Sequence, residues 1–272
     1  MNKPPKPRYT RYVAIPSSLF REVDEPLRTL YVGLLARALA IYRVEEVTVY
    51  IEGGVPPRYL TDVLEYIRAP PYLRKKLFPR KKTLRFIGVA PPLASPNHPL
   101  RGEESEYREA LVIKGGSSRV LVDAGLDKPV WAIGGGASGE VVVVRRAGES
   151  WVVVRGEPPF YWSYRVAVAG SFLEAVTRYR EAGSLIVATS RRGIDVREIG
   201  ERLRSMVKSA GSIALFYGLW ARGLYEVARE EGVELGDVVD AVVNFIPNQG
   251  VRTVRTVEAV HASLAVVNAI LE

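Results

Sequence analysis

From Asn244 to Glu258 the sequence reads NFIPNQGVRTVRTVE. The whole chain holds five Asn and one Gln, yet Asn244, Asn248 and Gln249 stand together here, joined by Ile246, Gly250, Thr253, Val254 and Thr256. Amides and hydroxyls donate and accept, so a loop that gathers them can satisfy a polar ligand that apolar residues could not. Two earlier loops share this character: ATSRRG, with Thr189, Ser190 and Gly193, and FYG, with Phe216 and Gly218. Their small residues let a ligand approach the backbone. None of the three has the acid, base and nucleophile set of a hydrolase, and each alone also reads as an ordinary turn. Arg37, among Leu34, Leu35, Ala36 and Ala38, either reaches a cleft or acidic partner or snorkels out along its own stem.

Other chemistries are excluded or weak. With no Cys, disulfides, iron–sulfur clusters and Cys-ligated zinc are ruled out, and with His98 and His261 as the only His, a His-rich metal site is not expected. Gly134–Gly139 (GGGASG) satisfies G-x-G-x-x-G but runs into EVVVVRR, a β-branched strand, where a dinucleotide fingerprint needs a helix; it reads as a hairpin loop. No apolar run approaches the roughly 20 residues that span a bilayer. The basic, proline-rich start has no signal-peptide core, so a cytoplasmic protein is expected. Scarce amides, Cys and Met beside abundant Arg and Glu match proteins from hot environments.

The formal net charge is +8, and it is clustered. Arg74, Lys75, Lys76, Arg80, Lys81 and Lys82 fall within one acid-free stretch, YLRKKLFPRKK. Lys3, Lys6, Arg8 and Arg11 add a second cluster, and Arg43 follows the first helix. Such clusters form either a solvated face or a phosphate-binding surface; here two clusters and the global charge point together toward nucleic acid.

The elements that must position these residues alternate. YVAIP reads as a strand, and DEPLRTLYVGLLARALAIYR as a helix with one apolar stripe. EVTVYI is a second strand, and PPRYLTDVLEYIRA a helix stopped by Pro70 and Pro71. From Leu84 to Val168 short β-rich runs (LRFIGV, EALVIK, RVLVDAGL, VVVVRR, SWVVVRG, YRVAVA) follow one another without a helical stripe. The expectation is an α/β domain of residues 1–83 and 169–272, interrupted by a small barrel or sandwich at 84–168. Its later part should run helix Ser171–Glu181, strand SLIVAT, helix Asp195–Lys208, strand SIALFY, helix Trp220–Glu231, strand VVDAVVNF and a last helix, Val257–Leu271. Ligands of such sheets lie beyond the carboxyl ends of the strands, where the three loops fall.

LLARALAIYRVEEVTVY, YLRKKLFP, LRFIGVAPPLASPNHP, ESEYREALV, VDAGL, YWSYRVAVA, ATSRRG and NFIPNQGVRTVRTVEAVHASLAVVN give the chain a resemblance that spans nearly its whole length. It resembles the SPOUT, or α/β-knot, RNA methyltransferases, in the branch with an OB-like insert assigned to N3 methylation of rRNA uridine. The resemblance implies S-adenosylmethionine bound by the three late loops. Backbone around Ile246 and Gly250 would hold the adenine, with Thr253–Thr256 near the methionine end. It further implies a knotted C-terminal segment and an obligate homodimer. Taken with the clustered positive charge, it gives the expectation of an RNA substrate, 23S rRNA, docked on Arg43, the Arg74–Lys82 cluster and the insert. Arg37 would then stabilise the anion that develops at uridine N3. Two positions depart from the family: Arg191 stands where relatives often have an acid, and Tyr217 where a Gly is common and could narrow the pocket. Rival readings are a noncatalytic RNA-binding assembly factor, or an enzyme of this fold acting on ribose 2′-OH or tRNA. The stripe Val260, Leu264, Val267 and Leu271 reads by itself as a contact within one subunit; the resemblance implies that it joins two.

Overall fold

The computed structural model describes residues 3–99, 103–219 and 222–272. Two compact units divide the chain: one of Pro7–Glu65, Thr83–Pro91 and Tyr164–Glu272, the other of residues up to Lys6, Tyr66–Lys82 and Pro92–Ser163.

The first unit contains β1 (Thr10–Pro16), α1 (Leu27–Ile41), β2 (Glu46–Tyr50) and most of α2 (Arg58–Arg68). Its later part runs β8 (Arg165–Ala169), α4 (Phe172–Glu181), β9 (Leu185–Asp195), α5 (Val196–Ala210), β10 (Ser212–Phe216), α6 (Leu224–Glu230), α7 (Leu235–Val238), β11 (Ala241–Asn244) and α8 (Thr256–Leu271). The strands form one six-stranded sheet, ordered β11-β9-β10-β1-β2-β8, with every neighbouring pair parallel. Such a sheet is covered on both faces, which is why β2 and β10 are buried at every position. The polar members of β2 are satisfied inside: Thr48 bonds the Tyr179 hydroxyl at 2.6 Å, and Glu46 accepts from Arg178 at 3.0 Å. Phe172, Ala175, Val176 and Tyr179 of α4 pack with Leu224, Val227 and Ala228 of α6 on one core cluster. α8 packs instead against α1 and α5. Gly33 lets α1 approach the 3₁₀ turn Ile87–Val89, since a Cβ there would lie 2.7 Å from Pro91 Cδ.

The second unit is a closed barrel of β3 (Tyr107–Lys114), β4 (Arg119–Asp123), β5 (Val130–Ile133), β6 (Val141–Ala147) and β7 (Ser150–Val154), ordered β3-β4-β5-β7-β6. The parallel β5–β7 pair among antiparallel ones makes it the Greek-key barrel of the OB type. Val112, Val120, Val122, Ala132, Val144 and Trp151 fill it. Residues 66–82, with the short helix α3 (Arg74–Leu77), belong to this unit for a polar reason. Buried Glu109 of β3 accepts from Arg68 at 2.9 Å, Asn97 at 3.2 Å and Trp162 Nε1 at 3.1 Å, and Tyr72 donates to the Glu109 carbonyl at 2.8 Å.

Several expectations are corrected here. YRVAVA is β8, the edge of the parallel sheet beside β2, and no part of the barrel. LRFIGV forms 3₁₀ turns, and VWAI, unmarked in the sequence reading, is β5. GGGASG is not a hairpin: it joins β5 to β6, which are not neighbours, and Gly136 bridges back to Gly116. The helix expected from Trp220 begins at Leu224, Trp220 itself lying outside the described residues. VVDAVVNF divides into the end of α7 and a short β11. Val260, Leu264, Val267 and Leu271 are buried within this one chain, so that stripe is core and not a free surface for a second copy.

His98 caps α2. Its Nε2 lies 2.7 Å from the Arg68 carbonyl, which also accepts from Asn97 at 2.9 Å, at the point where Pro70 and Pro71 stop the helix. Burial lowers the imidazole to about 4, against the bond to Arg68. The unfolded imidazole takes its proton near 6.5, so as pH falls the unfolded chain is protonated first. The stability this group supplies is therefore complete above about pH 6.5 and lost toward pH 4, on the order of 3 kcal/mol. Thermal denaturation at pH 7 and 4.5 should show a smaller fall for His98→Gln than for the native chain; equal falls would remove His98 as the cause.

Candidate active site

A cavity of about 460 Å³ lies at the carboxyl ends of β9, β10 and β11, closed by the start of α8. Its first wall is an excursion from β9. β11 pairs Val242 with Ala188 and then Val243 with Ile194, so residues 189–193 leave the ladder while the strand resumes beyond them. Thr189, Ser190, Arg191 and Arg192 line the cavity. Gly193 does not; a Cβ on it would lie 2.6 Å from the Val242 carbonyl, so it is the close contact that returns the excursion to the sheet.

The second wall follows β10, where three successive carbonyls each accept a side-chain hydroxyl from a different element. Phe216 O accepts from Thr189 at 2.9 Å, Tyr217 O from Tyr50 at 2.8 Å, and Gly218 O from Thr256 at 3.0 Å. Phe216 supplies this carbonyl, not a lining side chain: its ring is core, edge-on to Phe172 and Tyr179. Tyr217 is almost fully buried, and its hydroxyl meets Ser263 of α8 at 2.5 Å. Burial pushes this phenol above its ordinary range, against the bond to Ser263, so it is neutral at physiological pH. Gly218 lines the cavity and must be small, because a Cβ would lie 2.8 Å from the Leu224 amide.

The third wall is the amide-rich loop after β11. Asn244, Ile246, Gln249, Thr253 and Val254 line the cavity, as does Thr256 at the start of α8. Asn244 Oδ1 accepts from the Ile246 amide at 3.0 Å and its Nδ2 donates to Arg191 O at 3.3 Å. Gln249 donates to Val251 O at 2.9 Å, and Asn248 takes a left-handed backbone. The clustered amides thus hold the loop's own backbone in shape. Gly250 lies outside the lining, and a Cβ added to it would meet nothing within 4 Å.

Charge enters through residues that sequence reasoning did not assign to the site. Arg191, Arg192, Arg252 and Glu226 all line the cavity. Arg192 donates to Glu226 at 2.7 Å and lies over the Tyr225 ring. Burial raises the Glu226 carboxyl, but the Arg192 bond and backbone amides outweigh it, so the group is held ionised and is a weak base. The adjacent arginines were visible in ATSRRG. So was the small-residue stripe Thr256, Ala259 and Ser263, which lies at helical spacing along the cavity side of α8.

Arg37 is half-buried on α1 and is not among the lining residues of this chain's cavity. The proposed RNA contacts separate into two groups. Arg43 bonds Glu272 at 2.8 Å, Arg74 caps α2 through Ile67 O and Ala69 O at 3.0 Å each, and Lys76 pairs with Asp123. Lys81 lies over Phe78, while Lys75, Arg80 and Lys82 are exposed.

The family model described as "Putative RNA methyltransferase" matches residues 10–267. The chain belongs to this family. A human protein named 28S rRNA (uridine-N(3))-methyltransferase is 33% identical over 94% of this chain and 77% of its own length. An uncharacterized protein of Haloarcula marismortui is 31% identical over 94% of this chain and 97% of its own. Among solved structures, the SpoU methyltransferase AviRb of Streptomyces viridochromogenes in complex with AdoMet aligns with 98% of this chain and 58% of its own at TM-score 0.38 and 11% identity, too distant to carry any argument. Membership agrees with the SPOUT resemblance.

The methyltransferase's cofactor is S-adenosylmethionine, and the cavity fits such a molecule. Its volume is that of a small-ligand site. Leu219, Ile246 and Val254 offer apolar surface for a purine, Thr189, Ser190 and Thr253 hydroxyls for a ribose, and the arginines and Glu226 opposite charges for an amino-acid zwitterion. Gly218→Ala should weaken S-adenosylmethionine binding at least tenfold, about 1.4 kcal/mol, whereas Gly250→Ala should stay within about twofold. Calorimetry on folded variants checks this; a tolerant Gly218 and a sensitive Gly250 would place the cofactor elsewhere.

Proposed function

We propose that this methyltransferase acts as a homodimer and methylates N3 of a uridine in large-subunit rRNA. The observation that carries the reading is the likeness to the human uridine-N3 enzyme over almost the whole chain, both units included. S-adenosylmethionine supplies an electrophilic methyl group on a sulfonium. The chain's own residues then have two tasks, orientation and charge. The three hydroxyl-to-carbonyl bonds at residues 216–218 fix the walls that orient the cofactor. Uridine N3 is a weakly acidic imide nitrogen that exchanges its N–H bond for the N–CH3 bond, its proton passing to solvent water, so the negative charge that develops on the imide needs a cation. Glu226, clamped by Arg192, is poorly suited to remove that proton.

Arg37 is our candidate for stabilising that charge, delivered by the second copy. It shares a face of α1 with Leu34 and Ile41, and Leu27, Leu34 and Ile41 recur every seventh residue with exposures of 44%, 41% and 49%. An exposed apolar stripe of this spacing suits a two-fold helix contact, and it would bring Arg37 to a partner's cavity. Leu34→Glu should yield a monomer by light scattering that loses methyl transfer; a fully active monomer would refute the dimer.

The product decides the reaction. A methyl on N3 removes the Watson–Crick donor and stops reverse transcriptase, whereas a ribose 2′-O-methyl leaves pairing intact. Disrupting the gene in its host should abolish one such stop in large-subunit rRNA and lower 3-methyluridine by nucleoside mass spectrometry. Unchanged 3-methyluridine with loss of a 2′-O-methylated nucleoside would replace the assigned atom.

A further inference from the structure

The outer face of the barrel carries an aromatic and apolar strip bordered by cations. Residues paired across adjacent strands point to the same side of a sheet. Val112, Val122 and Ala132 point into the barrel core, so their alternates point out. One outward row runs Lys114, Leu121, Trp131 across β3, β4 and β5. The next runs Arg119, Ile133, Val152, Arg145 across β4, β5, β7 and β6. Trp131 is 43% exposed and Ile133 56%, large apolar side chains left open to solvent on this face. The Arg119 guanidinium lies 4.5 Å from the indole centroid. Lys114, Arg119 and Arg145 are exposed, and among the described residues none has a carboxylate partner, unlike Lys76 of the same unit, which pairs with Asp123.

The composition discriminates between occupants. Trp and Arg are also common in protein–protein interfaces, but Lys is depleted there, and here Lys114, Arg119 and Arg145 border the strip with no carboxylate among the described residues to neutralise them. A polyanion with flat apolar groups matches that pattern: phosphates for the cations, bases for the indole and the aliphatic strip. β4 and β5 are also the second and third strands of the barrel, the face that such barrels use for oligonucleotides.

We propose that the outer face of β4 and β5 is a platform for single-stranded RNA, on which a base stacks against Trp131 beside Leu121 and Ile133 while flanking phosphates meet Lys114, Arg119 and Arg145. It rests on the reading that the substrate is RNA, and adds that the barrel holds unpaired nucleotides.

The test uses the full chain without cofactor and a fluorescein-labelled oligouridylate of about twelve nucleotides. By fluorescence polarisation, Trp131→Ala should weaken binding roughly tenfold and Trp131→Phe by no more than about threefold, as loss and retention of one stacking ring require. Arg119→Ala should lower the slope of log affinity against log salt by about 0.7. RNA should quench a part of the tryptophan fluorescence that is missing in Trp131→Phe. Native-like binding by Trp131→Ala overturns the proposal. So does an altered oligomeric mass of that variant with RNA binding unchanged, which would make the face a contact between copies. A native chain that binds RNA through Trp131 yet forms no methylated uridine would instead sink the assigned reaction and leave the platform in place.

Discussion

A peptide carbonyl at or just beyond the end of a parallel strand runs out of ladder partners and must find another donor. Residues 216–218 solve this three times in succession, with hydroxyls from the β9 excursion, from β2 and from α8. The three walls of the cavity are therefore joined at one short stretch of backbone. Each bond contributes only about 1 kcal/mol net, but leaving any of these carbonyls buried and unpaired costs about 1–3 kcal/mol. That asymmetry holds Thr189, Tyr50 and Thr256 in register with one another.

α8 must then be fixed along its length. Near its start Thr256 and Ser263 hold the β10 loop, and at its end Asn268 and Glu272 receive Arg11 of β1 at 2.8 and 2.7 Å. Arg11 is fully buried; burial lowers its proton affinity while Glu272 opposes that, and the Tyr42 carbonyl takes a further donor at 2.8 Å. Removing Glu272 would leave a buried cation short of its counter-charge, the costly way to break such a pair. The apolar stripe Val260, Leu264, Val267 and Leu271 fills the interval between these polar clamps. A cofactor site built against this helix thus inherits its rigidity from the opposite end of the sheet.

The barrel unit follows a different logic. Its core is small, mostly Val and Ala around one Trp151, and the buried Glu109, with Arg68, Asn97 and Trp162 around it, supplies polar order that such a core cannot. Burial pushes the Glu109 carboxyl up while Arg68 opposes the shift. The two units place different chemistry at different surfaces: neutral hydroxyls and ionised side chains in a cavity, a ring and cations on a convex face.

By itself the sequence determined the alternation of buried strands and striped helices, the presence of a β-rich insert and the loops where a ligand would lie, because periodicity and turn residues are local properties. Nine of its twelve proposed cofactor residues line the cavity: Thr189, Ser190, Gly218, Asn244, Ile246, Gln249, Thr253, Val254 and Thr256. Gly193, Phe216 and Gly250 could not be sorted from them, since whether a small residue faces a ligand, a neighbouring strand or solvent depends on what the fold brings opposite. The same holds for charge. Arg74 and Arg43 looked like Lys75 and Lys82 in composition, and only the partners of the first two, the nearby end of α2 for Arg74 and the distant Glu272 for Arg43, distinguish a structural cation from an exposed one. Tertiary structure alone decided that YRVAVA completes the parallel sheet, that the α8 stripe is core, and that Arg191, Arg192 and Glu226 meet at one cavity. Each depends on a pairing between segments far apart in the chain, which no local pattern records.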